Sequence, residues 1–346
     1  MLFDSGTVEL VVEAIPTWLG VVLVVLSYLG SVYFIAPAMI AAYWYRRDLV
    51  APWLGGVVGC YALMSITKSV HSLSRPTVDP PVDATAFPSW YVPAYEHAAH
   101  IDTASFPSGH AMVATIVAGM VVYDLRVGTL PRRALVGAVF VGWVGFTRVG
   151  LGVHYPGDVI GGILYALAFL VVYVAARTWI VDGRLFVHGR SFVDRRVGNS
   201  DTGRFESPST GTPGIRGDGG RPRQARRYRA TMVAFAIGLS LALVALAVSG
   251  SRNAHIVFGA GLGGLLAWTV APALADTIES TVFERVLPIV AVFVVVSTWF
   301  VTEFGIGNTL FLVGWSALFL AMVVWVPWIT GDVDPATARR RLRSKS

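Results

Sequence analysis

Residues 106–123 read FPSGHAMVATIVAGMVVY, a short polar turn followed by an apolar run whose interior carries one polar side chain, that of Thr115. A helix that is apolar on every face is typical of a membrane-spanning or deeply buried position. At the start of this helix, proline followed by serine and glycine leaves backbone N–H groups unpaired, and such a helix N-terminus binds anions. The stretch therefore predicts a membrane helix with an anion site at its first turn.

Similar apolar runs occur along the rest of the chain, which is 55% hydrophobic and only 14% charged. A soluble domain usually carries about 25% charged residues. A run of about 20 residues crosses a bilayer, and we predict crossings at roughly 29–45, 50–67, 108–123, 133–149, 157–177, 230–249, 254–275, 286–302 and 306–329. The sequence thus predicts an all-α, polytopic helical membrane protein with about nine transmembrane helices.

The first crossing is ambiguous, because apolar sequence already begins at Thr17 and continues to Tyr45. This run is too long for one straight span. Residues 17–28 form either an interfacial or re-entrant helix that ends near Gly30, or a separate span that raises the count to ten.

A polar segment divides the membrane helices into two groups. Residues 182–229 are rich in Gly, Arg, Ser and Pro and have no hydrophobic period, so we predict a disordered basic linker along the anionic inner leaflet. It separates a first membrane domain, residues 1–181, from a four-span C-terminal membrane domain, residues 230–330. A basic cytoplasmic tail, residues 331–346, follows. The C-terminal spans carry small-residue stripes suited to helix packing, and they are the candidate surface for a membrane-protein partner.

The distribution of basic residues predicts the sidedness of the chain. The net charge is +6, but the basic residues lie mainly in short loops, the linker and the tail, as the positive-inside rule requires. The charge therefore does not indicate nucleic-acid binding. This alternation makes the C-terminus cytoplasmic and leaves Lys68, Arg75, Arg148 and Arg252 on the extracytoplasmic side. Topology does not explain the first three of these, so a site must hold them there.

Three stretches converge at the extracytoplasmic face. The span 50–67 continues into Lys68 and Arg75, which are seven residues apart and share one face if the helix continues until Pro76 ends it. Ser108, Gly109 and His110 open the next span. The third stretch runs from Arg148 through His154 to Asp158, whose carboxylate lies in the first turn of a helix and can fix the tautomer of the histidine.

These residue types suit phosphoryl transfer. Cations and backbone N–H groups would neutralise the phosphate oxygens, one histidine would attack phosphorus, and a second would protonate the leaving oxygen. The lone cysteine, Cys60, has no partner. The chain also lacks a Cys/His cluster of the zinc type, and we predict no metal and no cofactor.

The chain carries the pattern Lys-x6-Arg-Pro, Pro-Ser-Gly-His and Arg-x5-His-x3-Asp, spread over roughly residues 50–178. This pattern resembles that of the type 2 phosphatidic acid phosphatase family, which shares its site with vanadium haloperoxidases. The resemblance implies that His154 is the nucleophile, oriented by Asp158, and that His110 is the general acid. It assigns phosphate binding to Lys68, Arg75, Ser108, Gly109 and Arg148. Thr147 stands where the family usually has serine, and five clear spans precede the linker where the family core usually has six.

We therefore expect residues 1–181 to be a membrane phosphatase domain. It would hydrolyse a lipid phosphomonoester or diphosphate, such as a phosphatidic acid-like lipid or a polyprenyl diphosphate, through a phosphohistidine. A non-catalytic lipid-binding or assembly subunit is the alternative, although a binder needs the cations and not the nucleophile. A vanadate-dependent haloperoxidase would use the same anion site, but those enzymes are generally soluble.

Overall fold

The computed structural model describes residues 2–182, 221–277 and 308–329. Within these ranges the chain is helical and contains no β-strand, so the predicted all-α class is confirmed there. The described helices are α1 (Ser5–Glu13), α2 (Thr17–Ser27), α3 (Val32–Tyr45), α4 (Arg47–His71), α5 (Val92–Ala99), α6 (Gly109–Asp124), α7 (Leu130–Gly150), α8 (Pro156–Asp182), α9 (Arg221–Ser249), α10 (Arg252–Thr277) and α11 (Thr309–Ile329).

Among the described residues, six helical stretches are long and apolar enough to cross a membrane. They are Leu49–His71, Leu130–Gly150, Pro156–Trp179, Arg227–Ser249, Arg252–Ala271 and Thr309–Val326. Helices α3 and α6 are apolar but contain only 14 and 16 residues. The predicted crossing at 286–302 lies outside the described residues. The predicted number of about nine spans is therefore not confirmed.

The apolar run that begins at Thr17 is divided into two helices. Helix α2 is followed by a short 3-10 helix, Tyr28–Gly30, and the side chain of Ser31 then caps α3 by accepting a hydrogen bond from the Tyr33 N–H at 3.3 Å. The 11 residues of α2 span about 16 Å, roughly half of the hydrocarbon core. Between α1 and α2 the chain bends by 115°. Residues 17–28 thus form a separate helix that is too short to cross a bilayer alone.

A buried ion pair joins three helices at one end of the bundle. Arg177 of α8 donates to both carboxylate oxygens of Asp124 at the end of α6, at 2.9 and 2.5 Å. Trp53 of α4 donates its indole N–H to the same carboxylate at 2.7 Å. The motif residues Lys68 and Ser108 lie at the opposite ends of α4 and α6, and the three helices therefore hold the site at a fixed distance from this ion pair.

Two of the described C-terminal helices, α9 and α10, pack directly on α4. A Cβ atom added to Gly55 would lie 2.5 Å from the backbone of Ala234, and one added to Gly238 would lie 2.7 Å from the Gly55 carbonyl oxygen. Glycine lets the backbones of α4 and α9 approach this closely. Helix α9 also begins at Arg221, within the segment predicted to be disordered as far as Arg229. The rest of that linker, residues 183–220, and the tail 331–346 lie outside the described residues.

Candidate active site

His154 occupies the loop between α7 and α8 and is 2% exposed. Asp158, in the first turn of α8, places its Oδ2 atom 3.1 Å from His154 Nδ1, an arrangement that the four-residue spacing predicted. The Tyr155 backbone N–H donates to the same Oδ2 at 2.8 Å. The carboxylate is thus held in place by the backbone while it orients the imidazole.

Arg75 determines which nitrogen of His154 carries the proton. Its Nη1 atom lies 3.2 Å from His154 Nε2. A guanidinium has only donors, so Nε2 must accept this hydrogen bond and the proton must be on Nδ1, facing Asp158. The lone pair of Nε2 therefore points toward the cations of the site, as a nucleophile for an anionic phosphate requires.

Arg75 reaches this position from an irregular segment and not from a helix. Helix α4 ends at His71, where Ser72 adopts a left-handed conformation with φ of 43° and donates its N–H to the Lys68 carbonyl. The prediction that a continued helix carries Lys68 and Arg75 until Pro76 was therefore wrong. Backbone carbonyls fix the guanidinium: Arg75 donates to Thr103 O at 2.7 Å and to Val153 O at 2.6 Å.

Two further cations complete the basic lining. Arg148, in the last turn of α7, is 0% exposed and donates to the Ala98 carbonyl at 3.3 Å. Its Nε and Nη1 atoms are buried and have no hydrogen-bond partner in the described part of the chain. Lys68 donates its ammonium to the Ala104 carbonyl. None of the three cations forms an ion pair with a carboxylate among the described residues. Lys68 and Arg75 are partly buried and Arg148 is fully buried. Cations removed from water are normally paired, so this cluster is suited to an anion.

The Pro-Ser-Gly-His turn lies beside the His154 loop. Helix α6 begins at Gly109 with Ser108 as its N-cap. The Ser108 N–H donates to the Asp158 carbonyl at 3.0 Å, so this group is not free for a ligand as the sequence suggested. The buried Ser108 hydroxyl, in contrast, has no partner within the described ranges. The hydroxyl is therefore the group of Ser108 that can bind an anion.

His110 lies one residue into α6 and packs against Gly30, where an added Cβ atom would lie 3.2 Å from His110 Cβ. It is close enough to Arg148 and His154 to interact with both electrostatically. The structure therefore brings the two predicted histidines to one site, together with all of the predicted phosphate ligands.

Ser105 is a residue of this site that the sequence analysis missed. It is 0% exposed, its hydroxyl donates to Asp158 Oδ2, and it lies 3.4 Å from His154 Nδ1. Its backbone N–H donates to the Leu73 carbonyl at 2.8 Å and so connects the site to the segment after α4. The position of Ser105, three residues before Ser108, was its only sequence signal.

Burial and the surrounding cations determine the protonation of the loop residues. Burial first, and then Arg75, Arg148 and Lys68, lower the pKa of His154 well below 6.5. The imidazole is therefore neutral at neutral pH. Burial also lowers the pKa of Arg75 to about 10, which leaves the guanidinium charged at pH 7.

An open depression of about 340 Å³ borders Arg75. Ser72, Ser74, Asp102 and Thr103 contribute polar groups to its lining. Within the described ranges, no group of three or more His, Cys, Asp or Glu side chains is arranged to hold a metal ion.

A histidine–aspartate pair that faces cations without carboxylate partners suits phosphoryl transfer. Comparison with known proteins agrees: residues 49–182 match the model of the PAP2 superfamily and contain all three motifs. The resemblance inferred from the motifs is therefore confirmed over this segment.

Two curated relatives share this region. Phosphatidylglycerophosphatase B of Bacillus subtilis strain 168 is 28% identical over 169 residues, which cover 45% of this chain and 73% of that protein. Lipid A 1-phosphatase of Rhizobium etli is 34% identical over 99 residues, which cover 25% of this chain and 40% of that protein. No solved structure matches the chain. The expected enzyme class, a hydrolase of phosphoric esters, is confirmed by these comparisons.

Proposed function

We propose that this protein is a membrane lipid phosphatase that acts on a phosphatidic acid-like lipid or a polyprenyl diphosphate through a phosphohistidine at His154, without a metal. The observation that carries this proposal is the set of three cations around His154 Nε2 that lack carboxylate partners. A phosphate group supplies the missing negative charge and accepts the unused hydrogen bonds of Arg148 and Ser108.

In the first step, His154 Nε2 attacks phosphorus, and the bond from phosphorus to the leaving oxygen breaks. His110 donates a proton to that oxygen, so the lipid leaves as a neutral alcohol, or as a monophosphate if the substrate is a diphosphate. Asp158 stabilises the positive charge that develops on the His154 ring, through the contact at Nδ1.

In the second step, water attacks the phosphohistidine. His110, now neutral, accepts a proton from the water, and the bond between phosphorus and Nε2 breaks. Inorganic phosphate leaves, and His154 returns to its neutral form. The cations hold the phosphate oxygens through both steps, where most of the stabilisation of such a reaction arises.

The site is proposed to face the extracytoplasmic side, and the C-terminus the cytoplasm. The support is the distribution of arginines, which the positive-inside rule assigns to the cytoplasm except for Arg252 and the site residues Arg75 and Arg148. In this orientation the substrate keeps its tail in the outer leaflet while its phosphate reaches His154. The basic linker would lie on the anionic inner leaflet, and the C-terminal spans remain the candidate contact for a membrane-protein partner.

The proposal is tested by phosphate release from purified protein in detergent with a chelator present. The panel contains phosphatidic acid, phosphatidylglycerophosphate and a polyprenyl diphosphate. We expect release from at least one lipid, and the preferred lipid then identifies the substrate class. Activity that disappears in chelator and returns with magnesium contradicts the metal-free mechanism. No release from any lipid by folded protein favours a non-catalytic binding subunit.

The pH dependence of kcat/KM tests the state of His154. The nucleophile must be neutral, and its pKa is lowered well below 6.5. Since kcat/KM reports the free enzyme, we expect no loss of activity from His154 protonation as the pH falls from about 7.5 to about 6.5. The decline begins only below that range. Rates are measured between about pH 4.5 and 8.5 and corrected for the phosphate ester's own ionisation near pH 6. A corrected half-loss at or above pH 6.5 contradicts the expected protonation state.

A further inference from the structure

The N-terminal segment Leu2–Ser5 packs on the catalytic loop that contains His154. The Gly157 N–H, next to Asp158, donates to the Leu2 carbonyl oxygen at 2.8 Å. The Ser5 hydroxyl lies 3.2 Å from the Tyr155 hydroxyl. Leu2 and Ser5 therefore both contact the stretch of chain between His154 and Asp158.

Phe3 joins this loop to the second motif. Its ring packs edge-to-face with Tyr155 at a centroid distance of 6.1 Å and with Phe106 at 5.9 Å. A Cβ atom added to Gly157 would lie 2.5 Å from the Phe3 ring, so the ring rests directly on the glycine backbone. Tyr155 follows the nucleophile, and Phe106 precedes the Pro-Ser-Gly-His turn. One side chain thus contacts both loops that hold the phosphate site.

The same aromatic cluster extends to the first motif. Phe106 packs edge-to-face with His71, at the end of α4, with a centroid distance of 4.8 Å. His71 Nε2 in turn lies 2.9 Å from the Tyr165 hydroxyl of α8. The cluster of rings to which Phe3 belongs therefore contacts all three motif segments.

Helix α1 holds this segment in place. Asp4 caps α1 by accepting from the Thr7 N–H at 2.9 Å, and Val8 and Val12 are buried at 0% and 7% exposure. Phe3 itself is 50% exposed. Its ring is therefore anchored through α1 but is not part of the hydrophobic core, so its removal should leave the bundle folded.

We propose that the segment Leu2–Ser5 is a clamp that holds the His154 loop and the Pro-Ser-Gly-His turn in their reactive arrangement, with Phe3 as its positioning residue. This proposal rests on the phosphatase function proposed above. The clamp does not contact the phosphate. It fixes the distance from His154 to the Pro-Ser-Gly-His turn, which carries Ser108 and His110. A small change in such a distance lowers the rate of a reaction that depends on positioning.

Phe3→Ala tests the clamp, with Leu10→Ala as the matched control, because Leu10 lies on α1 and is 71% exposed. We expect Phe3→Ala to lower kcat for lipid phosphate release about tenfold, the size expected from the loss of one or two aromatic contacts. The KM for the lipid should rise several-fold at most, because a weaker hold on the phosphate group also weakens lipid binding. Phe3→Tyr should restore most of the rate, Leu10→Ala should match the wild type, and all variants should keep the wild-type thermal midpoint.

Binding of inorganic phosphate, measured by calorimetry, provides a readout that needs no turnover. We expect Phe3→Ala to weaken it several-fold, since phosphate contacts both loops. A wild-type protein that binds phosphate without hydrolysing lipid would contradict the proposed function but not the clamp. The clamp is overturned if Phe3→Ala matches the wild type in both assays, if Leu10→Ala loses as much, or if Phe3→Tyr fails to restore the rate. It is also overturned if the wild type shows neither activity nor phosphate binding.

Discussion

Replacing His154 with alanine is expected to abolish phosphate release, with kcat falling about 10⁴-fold or more. The reason is that Nε2 is the nucleophile and the structure offers no substitute on the loop from Leu151 to Pro156. Alanine also leaves the Asp158 carboxylate without the imidazole that it orients at 3.1 Å. The cations remain, so the variant should still bind lipid phosphate.

The measurement combines steady-state phosphate release with trapping of the intermediate. Wild-type enzyme that is quenched during turnover of a lipid labelled on its phosphate should carry acid-labile label, and His154→Ala should carry none. The matched control is His100→Ala, because His100 directly follows α5 and its imidazole is 55% exposed. Hydrolysis by His154→Ala at the wild-type rate, or labelled protein in that variant, rules out the phosphohistidine mechanism.

Replacing Asp124 with alanine is expected to cause a large loss of stability. Asp124 accepts two hydrogen bonds from Arg177 and one from Trp53, and its side chain is only 16% exposed. Its removal leaves the Arg177 guanidinium, 8% exposed, without a carboxylate partner, which typically costs about 3–5 kcal/mol. We expect the thermal midpoint in detergent to fall by roughly 10 °C.

Glu96→Ala is the control for this prediction, because it removes an ion pair with His100 in which both side chains are about half exposed. Such exposed pairs contribute little, and the midpoint should barely change. The double variant Asp124→Leu/Arg177→Met should lose less stability than Asp124→Ala, because it removes the unpaired charge together with its partner. An Asp124→Ala protein with the wild-type midpoint would show that this ion pair does not hold α4, α6 and α8 together.

The sequence predicted much of the site because the relevant signals are local. The spacing of four residues between His154 and Asp158 is enough to place the carboxylate beside the ring. The sidedness argument brought Lys68, Arg75 and Arg148 to one face without any knowledge of helix packing. The assignment of their roles rests on the family resemblance.

The features that the sequence did not predict depend on contacts between distant segments. Helix α4 ends at His71 because Ser72 turns the chain, and no pattern marks serine as a left-handed residue. Ser105 reaches Asp158 across 53 positions, and Leu2 reaches Gly157 across an even longer separation. Hydrophobic patterns left the form of residues 17–28 open, and the structure makes them a short helix that Ser31 separates from α3.

The close contact between α4 and α9 affects how the chain can be divided. The family match ends at residue 182, but Gly55 and Gly59 form a shallow channel on α4 that Ala234 and Gly238 fill. A fragment that stops at residue 182 would leave this channel facing lipid acyl chains, which cannot match the fit of a helix backbone. The smallest autonomous piece of this protein is therefore expected to extend well past the catalytic motifs and to include α9.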